Sequence, residues 1–270
     1  MTTTSESVLS TSLIDDDKLV VATLNRPAKG NALNNELVSA LEVLIEQLHN
    51  RRAPFRDVRA LVITGAGDRA FSAGADINNL VGLSRDRARD QMIAGQKVFQ
   101  ALETLDLPVI AAINGVAYGG GLELAMACDM RITSSASKLG QPEITLANIP
   151  GWGGTQRLPR IVGEGRALEM ILTGDPITAA RAYEIGLVNA IDDNPLSAAI
   201  TLAQRISRNA AGAVAAGKKA VYDGLRYGSE HGYQIEAELV GDRCATPEQR
   251  EAVEAFLQRK KPQESQENQK

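Results

Sequence analysis

Two hydrophobic periods alternate along the first part of the chain. Residues 19–24 are a nearly apolar run closed by Asn25, Arg26 and Pro27, which predicts a buried strand. Leu37, Leu41, Leu44, Ile45 and Leu48 then recur at i, i+4, i+7, i+8 and i+11, one face of a helix. Residues 58–64 predict a second strand, ended by Gly65, Ala66, Gly67 and Asp68. Residues 84–105 have a helical pattern with Ser84 as N-cap. Residues 108–113 are apolar throughout, so that strand should be buried on both faces, and Asn114-Gly115 ends it. A helix opens near Gly120 and Gly121 and runs through Glu123 to about Cys128, before a short strand at 130–133.

Beyond about residue 160 helices take over, at 166–172, 178–184, 196–209, 213–227, 233–244 and 247–258. The pattern predicts an α/β core over residues 14–195 and a helical region over 196–262. The flanks, 1–13 rich in Ser and Thr and 263–270 rich in Gln and Glu, read as frayed or disordered tails. No repeat of fixed length is visible.

Composition narrows the chemistry. A chain of 270 residues, 44% hydrophobic and 23% charged, buries a core without disulfides and has an ordinary soluble composition. A formal net charge of −4 offers no basic stripe, which argues against nucleic acid as a partner. No apolar run reaches the about 18 residues of a membrane span, and no targeting pattern is visible, which points to no membrane and to the cytoplasm. The two cysteines, Cys128 and Cys244, are far apart, and no metal-ligand spacing occurs, so no metal is expected. His49 ends an amphipathic stretch and His231 sits in a polar run, so both read as surface residues, which disfavours a Ser-His-Asp or Cys-His nucleophile. Carboxylates and backbone dipoles are left to carry any catalysis.

Four segments have the composition for it, and a fifth only mimics one. Gly65-x-Gly67-x-x-Ala70 follows a strand but opens no helix, so it reads as a tight turn rather than a dinucleotide site. Residues 71–77 (Phe-Ser-Ala-Gly-Ala-Asp-Ile) are small and glycine-punctuated, which lets another molecule approach the main chain and its N–H groups. Gly119, Gly120 and Gly121 separate a buried strand from a helix, more glycine than a turn needs, and aim free N–H groups at a partner. Glu123 falls in the first turn of that helix, where the dipole favours a negative charge. Glu143, stiffened by Pro142, supplies a second carboxylate twenty residues later. Residues 149–154 form a Gly-rich loop holding the only tryptophan, Trp152, a pocket wall or a packing residue.

In this order the pieces resemble the enoyl-CoA hydratase (crotonase) family, from about Leu19 to Lys261. The motifs that carry the resemblance are Asn25-Arg26-Pro27 with Asn31-Ala32-Leu33, then 71–77, 108–129 and Gln141-Pro142-Glu143. The segment 150–158, Leu172-Thr173-Gly174 and the C-terminal 255–262 complete the set. The resemblance implies an α/β spiral of ββα units followed by a C-terminal helical trimerisation region. It implies an acyl-CoA thioester substrate, no separate cofactor, and a homotrimer or a hexamer of stacked trimers. Ala75 and Gly120 match the oxyanion-hole donors, and Glu123 and Glu143 match the two acid/base glutamates. CoA is expected along Ala73, Ala75, Asp76 and Ile77, with Gly120, and near Lys29 and Ala32, with Lys260 reaching a phosphate from a neighbouring subunit.

The implied reaction is reversible hydration of a 2-enoyl-CoA to a 3-hydroxyacyl-CoA, a lyase reaction. The alternatives are a 3-enoyl-CoA isomerase using Glu143 alone, another acyl-CoA enzyme of the family, or a non-catalytic acyl-CoA- or RNA-binding relative. Retention of both glutamates favours hydration. Asn78-Asn79 departs from the Lys-Glu that many relatives carry, which puts one charge contact to CoA in doubt. Tyr118 and Trp152 narrow or reshape the acyl pocket.

Overall fold

Strand β1 (Leu9–Ile14) pairs antiparallel with β2 (Leu19–Leu24), from Leu9 opposite Leu24 to Ile14 opposite Leu19, in a computed structural model that describes residues 7–16, 18–79 and 81–259. This corrects the expectation of a frayed tail over 1–13 for its part from Leu9 on; residues 1–6 lie outside the described residues. Ser10, Thr11 and Ser12 are polar because they are the exposed part of an edge strand, not because the segment lacks structure. Lys260 and the tail 263–270 lie outside the described residues.

The chain divides into two units, Met1–Asn209 and Ala210–Lys270. In the first, β2 leads into α1 (Asn35–His49), and three β–β–α units follow. The first is β3 (Ala60–Gly65), β4 (Ala70–Ser72) and α2 (Arg85–Glu103). The second is β5 (Val109–Ile113), β6 (Val116–Tyr118) and α3 (Gly120–Ala127). The third is β7 (Met130–Thr133), β8 (Lys138–Gly140) and α4 (Gly154–Val162). After them come α5 (Glu164–Thr173), β9 (Ile177–Thr178), α6 (Ala179–Glu184), β10 (Ala190–Ile191) and α7 (Pro195–Ser207).

The strands form a six-stranded sheet in the order β1-β2-β3-β5-β7-β10 and a four-stranded sheet in the order β4-β6-β8-β9. Each unit thus adds its first strand to one sheet and its second to the other, in parallel with the unit before. This is the spiral of ββα units that the resemblance implies. Parallel strands buried on both faces need apolar side chains in both directions. Leu61, Ile63, Val109, Ala111 and Ile113 enter the core shared with α1, α2 and α3. The alternate residues Val62, Ile110 and Ala112 face Ala199 and Ala203 of α7. Because these small residues bury α7 against the sheet, it belongs to the first unit, and the sequence boundary at 195–196 falls one helix earlier than the structural division.

Ser84 caps its helix as expected, accepting from the Arg87 N–H, and Asn34, which the sequence pattern does not single out, caps α1 by accepting from the Leu37 N–H. Asn114 locks two turns together. Its side chain accepts from the Gly65 N–H at 3.1 Å and donates to the Gly65 and Gly67 carbonyls at 2.9 and 2.7 Å. The turn after β5 is thereby fixed to the turn after β3, and those turns lead into the strands that deliver the candidate site.

The second unit contains α8 (Ala211–Tyr227), α9 (Ser229–Cys244) and α10 (Pro247–Arg259). Gly224 and Gly232 bring α8 and α9 together backbone to backbone; a Cβ on Gly232 would stand 2.8 Å from the Gly224 Cα. Val221, Leu225, Tyr227, Tyr233, Val240, Phe256 and Leu257 are exposed.

Candidate active site

Two main-chain N–H groups converge at the ends of β4 and β6. Ala75 follows Gly74, whose φ is 106°, and Gly120 follows Gly119, whose φ is 48°. Those left-handed conformations, open to glycine, turn each following peptide out of its strand. Neither the Ala75 nor the Gly120 N–H donates to an acceptor among the described residues. The two are close: a Cβ on Gly120 would stand 3.2 Å from the Ala75 nitrogen. Gly120 is also the first residue of α3, so the helix terminus adds its dipole at the same point. The glycine run has distinct local reasons, since Gly121 packs against Ser72, whose carbonyl oxygen a Cβ would strike.

Glu123 lies one turn into α3 and is only 2% exposed. Its Oε1 accepts two backbone N–H groups, from Trp152 and Gly154, each at 2.7 Å. Oε2 accepts none among the described residues. Gly154 opens α4, so the carboxylate is held by the start of a second helix as well as standing at the start of its own. Burial nevertheless pushes its carboxyl above the ordinary value; the Gly154 and Trp152 N–H groups and the nearby Arg157 charge oppose that shift without cancelling it. The dipole at the start of α3, on which the sequence reading leans, is therefore not what decides its protonation.

Glu143 stands in the short 3₁₀ helix Pro142–Leu146, half-buried. Its pKa is pushed up to about 7, first by burial and further by the charge of Glu123, against a bond from its own N–H. A Cβ on Gly119 would stand 3.0 Å from Glu143 Oε1, which places this carboxyl beside the turn that carries the Gly120 donor. Fully buried Gln141 faces it. With its amide nitrogen turned to the carboxylate, Gln141 donates to Oε1 and Oε2 at 2.9 and 3.0 Å.

The segments expected to meet CoA also lie together. Ala73 N donates to the Gly30 carbonyl, Leu33 N to that of Gly74, and Asp76 N to that of Leu33, each at 2.8 to 3.0 Å. Lys29 and Ala32 therefore run alongside Ala73, Asp76 and Ile77. Buried Asn31 staples the crossing through the Arg26 N–H and the Ala66 and Ala70 carbonyls. Asp76 accepts from the Asn78 side chain at 2.9 Å and pairs with Arg26 at 3.2 Å. Those bonds hold its carboxyl below the ordinary value, the Asn78 contribution being the largest. Asn78, the departure from the family pattern, thus clamps Asp76. Ile77 is 58% exposed.

Ala75, Gly120, Glu123 and Glu143 are thus brought to one place, with Ala73, Asp76, Ile77, Lys29 and Ala32 alongside; Lys260 is outside the described residues. Sequence reasoning missed Gln141 as a partner of Glu143 and the Trp152 and Gly154 N–H groups as holders of Glu123. The glycines at 153 and 154 were a signal for the latter, since they place bare main chain beside the carboxylate. A Cβ on Gly154 would stand 3.0 Å from Glu123 Oε1. Among the described residues no group of three His, Cys, Asp or Glu side chains is placed to hold a metal, and no helix is long and apolar enough to cross a membrane.

Comparison with known proteins bears on the same stretch of chain. The family model described as enoyl-CoA hydratase/isomerase matches residues 15–267. A crotonyl-CoA hydratase of Syntrophomonas wolfei is 42% identical over 91% of this chain and 94% of its own. A short-chain-enoyl-CoA hydratase of Clostridium acetobutylicum is 40% identical over the same shares. Among solved structures, an enoyl-CoA hydratase from Bacillus anthracis superimposes with a TM-score of 0.87 at 37% identity, over 93% of this chain and 96% of its own.

Proposed function

This chain belongs to the enoyl-CoA hydratase/isomerase family, and from that premise we propose that its two free N–H groups and two buried glutamates add water to a 2-enoyl-CoA. It is an enzyme of the hydro-lyase class, an enoyl-CoA hydratase. The thioester oxygen sits between the Ala75 and Gly120 N–H groups, which stabilise the enolate charge as it develops. In the active form the two carboxyls share one proton: Glu123, as the carboxylate held at Oε1 by two N–H groups, takes a proton from water at Oε2 while the water oxygen bonds to C3. Glu143, protonated, delivers its proton to C2. The C2–C3 double bond is consumed, a hydroxyl stands at C3, and the proton now on Glu123 passes through solvent to Glu143, which resets both carboxyls. Neither a metal nor a separate cofactor enters these steps.

The observation that carries this reading is the convergence of two N–H groups without acceptors on a pair of carboxyls of unequal environment. One carboxyl is anchored by two bonds, and the other is poised at about 7. An isomerase using Glu143 alone would have no use for a second carboxylate held this way. The test is turnover of crotonyl-CoA followed by loss of enoyl-thioester absorbance. Steady formation of 3-hydroxybutyryl-CoA supports the proposal; conversion of a 3-enoyl but not a 2-enoyl substrate overturns it.

The exposed apolar residues of α8, α9 and α10 support a homotrimer or a hexamer of two trimers, since symmetric closure buries such a face. A monomer by light scattering at micromolar concentration would contradict this.

A further inference from the structure

The Trp152 indole stands between two spaces. On one side is the oxyanion corner: a Cβ on Gly120 would lie 2.8 Å from both Cε3 and Cζ3 of the ring. On the other is a cavity of about 660 Å³ between α1 and α2, whose lining includes Val38, Ile93, Ala94, Gly95, Val98 and Trp152 itself. The ring reaches that cavity through Gly95. A Cβ there would lie 2.5 and 2.7 Å from Cδ1 and Cε2, and closer still to Nε1. Phe99 fixes the plane of the ring edge-on, with centroids 5.5 Å apart. The indole therefore stands between the Gly120 donor and the cavity, close to Gly120 on one side and to Gly95 on the other.

Packing alone does not account for an indole here. Trp152 is 5% exposed, yet its Nε1 has no hydrogen-bond partner among the described residues. A buried donor without an acceptor is costly, and a phenyl ring would avoid it. What the bicycle supplies instead is length, enough to span from Gly120 to Gly95.

We propose that Trp152 is the gate that sets acyl chain length. The proposal rests on the hydratase reading above. With the thioester oxygen at Ala75 and Gly120 and C3 beside Glu123, the tail beyond C3 points past the residues that hold Glu123. The first of these is Trp152, whose main-chain N–H binds the carboxylate and whose ring closes that end. The unaltered protein is therefore confined to short 2-enoyl thioesters. The cavity behind the ring also carries polar and charged residues, Glu42, Asp90 and Lys97 among them, but its apolar patch of Val38, Ile93, Ala94 and Val98 takes the tail of a longer acyl group once the indole is gone.

The test is kcat/KM for trans-2-enoyl-CoA substrates of four, six, eight and ten carbons with the full-length assembled protein. Discrimination by one methylene in an apolar pocket is about 10-fold or more. The unaltered protein should lose at least about 10-fold from the four-carbon to the ten-carbon substrate. Trp152→Ala should raise the ten-carbon to four-carbon ratio by at least about 10-fold. Leu at position 95 would project into the vacated ring volume, so Gly95→Leu added to Trp152→Ala should return the ratio toward that of the unaltered protein. Equal turnover of four and ten carbons by the unaltered protein overturns the gate, and that measurement needs no variant. An active Trp152→Ala protein with an unchanged ratio overturns it as well. Failure of the unaltered protein to hydrate any chain length would instead overturn the hydratase reading, and the gate with it.

Discussion

The oxyanion corner and the carboxylate pair lie side by side and are built by opposite means. The corner is main chain throughout: two N–H groups, each following a glycine of positive φ, one at a helix start. No side chain there titrates. The pair consists of side chains whose protonation follows from burial, from each other's charge and from the N–H groups around them. Stabilisation of charge thus rests on fixed geometry, which side-chain substitution reaches only by displacing backbone. Proton transfer rests on groups that the surroundings tune. Each half should therefore fail in its own way.

The largest effect is expected in the carboxylate half. Glu123→Gln and Glu143→Gln keep volume and remove proton transfer, so each should slow hydration by about 10²–10⁴-fold. Circular dichroism and assembly state would show that the fold is kept. Next comes Ala75→Pro, which deletes one donor and should lower kcat by about 10²–10³-fold. It is cleaner than a change at Gly120, where any Cβ meets the Trp152 ring. The pairing of Leu33 with this loop runs through the Gly74 carbonyl and the Asp76 N–H and does not use the Ala75 N–H. An assembled Ala75→Pro protein with near-native kcat would remove Ala75 from the oxyanion hole.

A smaller effect separates the halves by pH. Hydration needs Glu143 protonated, and its pKa lies at about 7. Hydration kcat/KM should therefore fall as pH rises above about 7, approaching tenfold per unit, and dehydration should fall with it, because the reaction takes up no net proton and its equilibrium fixes the ratio of the two at every pH. The two carboxyls interact, so the profile reports values of the pair. Stability follows with a definite sign. A carboxyl raised from 4.5 to about 7 on folding contributes most below 4.5, and that contribution is lost as pH rises through about 7. Glu143→Gln should flatten the melting temperature across that window, whereas Ala75→Pro should leave its pH dependence as it was.

Much of this architecture was legible in the sequence because the long elements carry a strong period. The helix over Asn35–His49, the Ser84 cap and the strand Val109–Ile113 follow directly from spacing and apolar runs. The second strand of each ββα unit is three residues long, too short for any period to show. Strands β9 and β10, with two residues each, are harder still. Helix α4 was hidden because Gly153, Gly154 and Pro159 read as loop. Strand β1 was hidden because its polar face looks like a tail. In the site, the chemistry-bearing residues were visible as types, and the family resemblance supplied their roles. The supports were not visible. The bonds from Trp152 and Gly154 to Glu123 join residues 29 and 31 positions apart, so the glycines at 153 and 154 signal bare main chain without naming the carboxylate it meets.

The central claim is the division of labour: Glu143 moves the C2 proton and Glu123 serves the water. Exchange of the α-hydrogen of a saturated acyl-CoA in D₂O isolates the first role, because no water is added. Deuterium at C2, read by mass spectrometry or NMR, should accumulate slowly with Glu123→Gln, which retains the oxyanion corner and Glu143, and should be absent with Glu143→Gln. Exchange at the parent rate by Glu143→Gln, with none by Glu123→Gln, would show that the two roles are reversed.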